Sequence, residues 1–180
     1  MNIDELVARF AALPGAEVGR GPRHPVAPEP GLTDRLTRFF VGEYNGLDRD
    51  PGYVEFMWKY AGMRRSDKGD HRLFSIDGFG PGTWDIDHHL GDEELVDDGL
   101  FVFADCVVDG DLPEDPLNTY EIDFGLDLTG QRRPGVYRYE SSMGVTGPGW
   151  IWHAPDFQAF LAEAVANGGV WPRPFRGARS

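Results

Sequence analysis

The densest apolar run in the chain spans residues 100–108, with Leu100, Phe101, Val102, Phe103, Ala104, Cys106, Val107 and Val108 broken only by Asp105. Aromatic and β-branched residues at nearly every position predict a strand covered on both faces, hence a central one. Residues 119–124 alternate strictly, with Tyr120, Ile122 and Phe124 on one face and Thr119, Glu121 and Asp123 on the other. That period of two predicts one packed face and one wet face. Residues 136–139 form a third strand, and the Gly- and Pro-bearing loops between these segments suit antiparallel neighbours. Shorter strands are expected at 73–76, 83–86 and 150–152.

Elsewhere the period changes to that of a helix. Ile3, Leu6, Val7, Phe10 and Leu13 share one face of a helix that Asn2 caps, with Glu5 completing a capping box and Pro14–Gly15 ending it. Residues 16–31 hold Pro22, Pro25, Pro28 and Pro30 without periodicity and read as an irregular surface connection. A second helix is expected from a Thr33 cap to Asn45–Gly46, burying Leu36, Phe39, Phe40 and Tyr44. A third begins at Asp50–Pro51, where proline suits the first helical position, and buries Tyr53, Phe56, Met57 and Tyr60. Residues 64–69 read as an exposed loop. The closing helix opens at Pro155 with Asp156 in its first turn, carries the stripe Phe157, Phe160, Leu161, Ala164 and Val165, and stops at Asn167–Gly169. Helices, then strands, then a helix predict an α+β fold: an antiparallel or mixed meander with N-terminal helices and a closing C-terminal helix on it. The expected organisation is an N-terminal helix and connection (1–31), a main α+β unit (32–169) and an irregular tail (170–180).

Composition narrows the function. The 180 residues are 41% apolar, enough for one core, and 24 Gly with 14 Pro call for many turns. A net charge of -13 argues against nucleic acid and anionic membranes as partners. Cys106 is the lone cysteine and sits in an apolar strand, so no internal disulfide is expected. No signal peptide or membrane span is read from the pattern, and a cytoplasmic location is the expectation.

The charge is segregated. Between Arg72 and Arg132 lie 59 residues with no Lys or Arg and 16 of the 30 acids. Asp92, Glu93, Glu94, Asp97 and Asp98 precede the central strand; Asp109, Asp111, Glu114 and Asp115 follow it. The two clusters are expected near opposite ends of that strand, about 30 Å apart. They read either as a solubilising surface or as a face complementary to a basic partner. Trp84 is the aromatic candidate beside them.

Catalytic signals are weak. Asp85, Asp87 and His89 would share a strand face, a pattern that holds a divalent metal in some hydrolases, but adjacent His88 points away and no second His and acid motif completes a set. A structural loop is the favoured reading. His24, His71 and His153 are solitary and read as surface or capping residues. Gly78–Gly82 and Gly144–Gly149 lack phosphate-loop lysine and dinucleotide spacing, and Ser141–Ser142 has no nucleophile elbow. No catalytic, metal or cofactor residue is assigned.

Three segments resemble the SUKH superfamily, the Smi and Knr type of domain. Residues 51–62, Pro-Gly-Tyr-Val-Glu-Phe-Met-Trp-Lys-Tyr-Ala-Gly, are similar to its proline-led helix ending in an aromatic-Asn-Gly turn, with Ala61 where the family has Asn. The strands at 100–105, 120–124 and 136–137 resemble its sheet, and residues 154–161 its closing helix. The likeness spans roughly residues 33–166. It implies a non-enzymatic immunity protein that binds and neutralises a bacterial toxin, often a nuclease; no cofactor is expected, and the exposed edges of an incomplete sheet leave a monomer or weak homodimer open. The alternative is a regulatory or scaffold domain with an endogenous partner, and behind it a metal-dependent hydrolase.

Overall fold

The computed structural model describes residues 1–26, 30–66, 72–76, 78, 96–108, 120–142, 145–146 and 149–171. Its helices are α1 (Ile3–Ala11), α2 (Leu32–Arg38), α3 (Pro51–Tyr60) and α4 (Phe157–Ala166). Its strands are β1 (Ala16–Val18), β2 (Met63–Ser66), β3 (Arg72–Ile76), β4 (Val96–Asp97), β5 (Leu100–Val108), β6 (Tyr120–Asp127), β7 (Val136–Ser142), β8 (Val145–Thr146) and β9 (Ile151–Ala154). All of these strands join one antiparallel sheet in the order β1-β2-β3-β5-β6-β7-β8, with β4 also on β5 and β9 also on β7. The chain is therefore α+β, with N-terminal helices and a closing helix on an antiparallel sheet, as its hydrophobic pattern predicts.

The predicted capping chemistry is present. Asn2 Oδ1 accepts the Glu5 N–H at 2.9 Å, and Glu5 Oε2 accepts the Asn2 N–H at 3.1 Å. The buried stripe of α1 is Ile3, Leu6, Val7 and Phe10. Asp4 fastens this helix to α3, taking the Lys59 ammonium at 3.0 Å and the Tyr60 hydroxyl at 2.7 Å. α3 starts at Pro51 behind an Asp50 cap, and Ala61 ends it in the left-handed conformation, φ 53°.

β5 is central. A bulge between Val102 and Ala104 changes the phase of the strand, so that Phe101, Phe103, Ala104 and Cys106 are all buried. Against them lie Tyr53, Phe157 and Phe160, with Phe103 at 5.4, 5.7 and 5.2 Å from the three rings. Each fully buried phenylalanine contributes about 1.5–3 kcal/mol of gross hydrophobic stabilisation. Across four strands Ile76, Ala104, Phe124 and Arg138 make one row, and Ser75, Asp105, Asp123 and Tyr139 the adjacent row on the opposite face.

Five expectations are corrected. Residues 16–31 are not wholly irregular: Ala16–Val18 is an edge strand on β2, a segment too short for periodicity to reveal. After it, the N–H groups of Gly19, Gly21 and Arg23 donate to Gly62, Lys59 and Trp58 carbonyls at 3.0, 2.9 and 2.8 Å, roofing the end of α3. A Cβ on Gly21 would meet Trp58 O at 2.4 Å, so only glycine lets the chain pass this close. Residues 63–66 are strand β2 rather than part of a loop, and the Arg64–Glu17 ion pair at 2.9 Å spans two facing positions.

The second helix is capped by Gly31, φ 83°, not by Thr33, and α2 stops at Arg38. Phe39–Glu43 is a wider π-turn and Asn45–Arg49 a 3₁₀ turn. The wide turn brings residues five apart onto one face, so Phe39 and Tyr44 lie 5.0 Å apart and both reach Phe101, at 5.4 and 4.8 Å. Asp156 is the cap of α4 rather than a first-turn residue. Finally, Trp171 is core rather than tail, 1% exposed and stacked on Phe160. The predicted strand at 83–86 lies outside the described residues.

Candidate functional site

Of the residues singled out for partner binding, Trp84, Asp92, Glu93, Glu94, Asp109, Asp111, Glu114 and Asp115 lie outside the described residues. Asp97 is in β4, opposite Leu100. Asp98 follows it in a two-residue turn with Gly99, at φ 50° and 76°. Positive φ at both central positions is the geometry that joins twisted antiparallel strands tightly. The Asp98 side chain is 72% exposed and pairs with Arg132 at 2.5 Å. The acidic stretch thus ends in an anchored turn at one end of the sheet.

That end of the sheet carries a cleft of about 220 Å³. The β6–β7 loop forms one wall through Asp127, Gly130, Arg132, Pro134 and Gly135; residues 46–51 form another, and Pro155–Asp156 closes it. Leu128 N–H donates to Gly99 O at 3.0 Å, seating the loop on the Asp98–Gly99 turn. Within the loop, Asp127 Oδ1 accepts from the Thr129 N–H and hydroxyl at 2.9 and 2.7 Å, and Oδ2 from the Arg132 N–H at 3.1 Å. Burial pushes the Asp127 pKa up, but the Thr129 hydroxyl and the loop N–H groups outweigh it and hold the carboxyl below its usual value. Arg49 bridges the walls by donating to Leu128 O at 2.5 Å.

At the floor Asp50 caps two helices. Its Oδ1 accepts the Gly52 and Tyr53 N–H groups of α3 at 3.0 and 3.1 Å, and its Oδ2 accepts the Phe157 N–H of α4 at 2.7 Å. Burial nevertheless raises the Asp50 pKa, with the nearby Asp156 charge adding to it. The cleft's described lining has no Ser, Cys, His, Lys or Tyr, and every one of its hydrogen-bonded acids holds backbone. No Ser or Cys is paired with a His base among these described lining residues.

The rim of the same loop is aromatic. The Arg133 guanidinium stacks 3.6 Å from the Trp152 ring, whose indole donates to Pro134 O at 3.1 Å. Arg132 lies 5.7 Å from the Tyr137 ring. Arginine on tryptophan or tyrosine is the residue chemistry that dominates protein interfaces. Sequence reading missed this rim and the cleft. Arg132 was visible only as the end of the basic-free stretch, and Asp50 only as the residue before Pro51.

A second polar group lies on the core side. Arg138 Nε approaches Glu140 Oε1 at 2.8 Å, the side chains 11% and 7% exposed. His153, expected at the surface, is instead largely buried with its Nε2 at 3.0 Å from Glu163 Oε2. The register shift beside Val136 turns it inward against Phe124, 5.4 Å away. Burial raises the Glu140 pKa against the pull of Arg138. Burial lowers that of His153, Glu163 opposing and Arg138 reinforcing. His24 keeps the expected capping role, accepting the Val26 N–H on Nδ1 at 3.2 Å. Cys106 is buried, with burial pushing its thiol up to about 11.

Among the described residues no three His, Cys, Asp or Glu side chains converge as metal ligands; residues 85–89 lie outside that set. No described helix is long and apolar enough to cross a membrane. The chain matches no protein-family model, no curated protein and no solved structure.

Proposed function

We propose that the chain is a non-enzymatic binding protein that recognises a basic protein partner through its acidic surface, acting as an immunity protein that neutralises a bacterial toxin in the cytoplasm. The observation that carries this reading is the charge segregation, 16 acids and no Lys or Arg between Arg72 and Arg132. Its described turn fits it: Asp98 is 72% exposed on a two-residue turn and holds Arg132 at 2.5 Å, which gives the acidic stretch a fixed end. Like charge with nucleic acid lets such a surface occupy the substrate groove of a basic nuclease, and long-range attraction speeds capture. The SUKH resemblance points the same way.

The test is co-expression with the protein encoded beside this one, as the candidate toxin. Growth rescue and a co-purifying complex are expected. Replacing Asp92, Glu93, Glu94, Asp97 and Asp98 together by Lys should weaken the complex and flatten its salt dependence. Unchanged affinity and protection in that variant would remove the acidic stretch from the mechanism, and an unrelated partner in place of a toxin would favour a regulatory role.

A further inference from the structure

Away from the cleft, one carboxylate on α4 holds one donor and faces a second nitrogen. Glu163 Oε1 accepts the Trp171 indole N–H at 2.8 Å, and Glu163 Oε2 lies 3.0 Å from His153 Nε2. The groups facing His153 are Glu163 and Phe160 from α4, Arg138 with its partner Glu140 from β7, Phe124 from β6, and Trp171 itself. Trp171 fixes the segment after α4 to the sheet. Its ring stacks on Phe160 at 5.7 Å and 6°, and lies 4.7 Å from Phe124 and 5.5 Å from Phe74. Behind it the chain turns at Gly168 and Gly169, φ 65° and 76°. There Gly168 O accepts from Arg65, and Gly169 O takes the Cys106 thiol at 3.4 Å.

His153 Nε2 makes no hydrogen bond although Glu163 Oε2 lies 3.0 Å away, so a proton added to the ring must turn it toward that carboxylate. The imidazolium then stands among aromatic rings, beside the Arg138 guanidinium. Closer engagement with Glu163 relieves it, and that movement draws the carboxylate from the indole. Helix α4 has independent holds: the Asp156 and Asp50 caps at its first turn, and the buried Phe157 and Leu161. We propose that this corner is an acid-operated latch, in which protonation of His153 diverts Glu163 and frees Trp171 with residues 168–171 while α4 stays seated. Burial holds His153 below the ordinary 6.5, so the latch is closed at neutral pH. Below 6.5 the freed form binds the extra proton more readily than the latched form. Acid therefore favours release, by up to about tenfold per pH unit until the latched histidine itself titrates.

Fluorine NMR of the intact chain labelled with 5-fluorotryptophan tests this between pH 7.5 and pH 5. The chain has five tryptophans, and Trp171→Phe assigns the relevant signal. Expected is a solvent-like Trp171 resonance whose population grows up to about fivefold from pH 6.5 to pH 5.5, with the other four signals fixed. His153→Gln, which keeps a donor without titrating, should abolish the change. A Trp171 signal that does not respond to pH, or five signals that move together as in global unfolding, overturns the latch from the wild-type titration alone. So does an undiminished response in the His153→Gln protein.

Discussion

Asp50 and Phe157, 107 positions apart in the chain, are joined by a hydrogen bond of 2.7 Å from the Phe157 N–H to Asp50 Oδ2. The same carboxylate caps its own helix through Oδ1, so α3 and α4 start from one side chain. Each capping interaction is worth about 0.5–2 kcal/mol. Asp50→Ala should therefore cost about 2–3 kcal/mol in urea denaturation. Asp50→Asn should fall between, because its amide offers Phe157 N–H a donor in place of an acceptor. A loss below about 0.5 kcal/mol for Asp50→Ala would mean the two helices do not depend on the shared cap.

Asp127 gives a pH signature. Its folded pKa is depressed, so its contribution is present above the ordinary 3.8 and is lost as pH falls through the folded value. Asp127→Asn should lower the urea midpoint at pH 7, with a deficit that shrinks as the pH falls below 3.8. An equal deficit at every pH would assign the effect to loop geometry rather than charge.

Arg138 and Glu140 form a buried pair on the face that otherwise packs Phe124 and Ile122. Removing one partner strands a charge: Arg138→Met or Glu140→Leu alone should cost about 3–5 kcal/mol. The double replacement should come out near neutral or more stable by about 1–4 kcal/mol. Thermal or urea unfolding of the four proteins closes the cycle, and additive losses would show the pair is not coupled.

Phe160 meets the rings of Phe74, Phe103, Phe124, His153, Phe157 and Trp171. Phe160→Ala should cost about 3–5 kcal/mol, the loss of transfer energy plus an unfilled cavity. Val41, 75% exposed, is the control: Val41→Ala should change stability by less than about 0.5 kcal/mol.

Local signals read correctly where the partner is close in sequence. Asn2 with Glu5, Asp50 with Pro51, and the α4 stripe each encode their own helix, and the alternation of β6 encodes its packed face. Ala61 adopts the left-handed conformation that Asn tolerates best, so the helix-ending turn forms without the residue the resemblance led one to expect. What escaped sequence reading depends on distant partners. Ala16–Val18 becomes a strand only because β2 lies beside it. Trp171 is core only because Phe74 and Phe124 come together across the sheet. The cleft unites Arg49, Asp127 and Asp156, which share no spacing. From the acidic clusters, Asp98 alone has a described side chain.

The short ends of the sheet path bear on how a partner is read. Among the described residues β1 has three residues and β8 two, and neither of these stretches has the length of free N–H and C=O groups on which an extended peptide could dock as an added strand. On these two edges contact runs through side chains and their charges, which differ residue by residue. Loop residues on such a scaffold can be exchanged with the backbone left as it is.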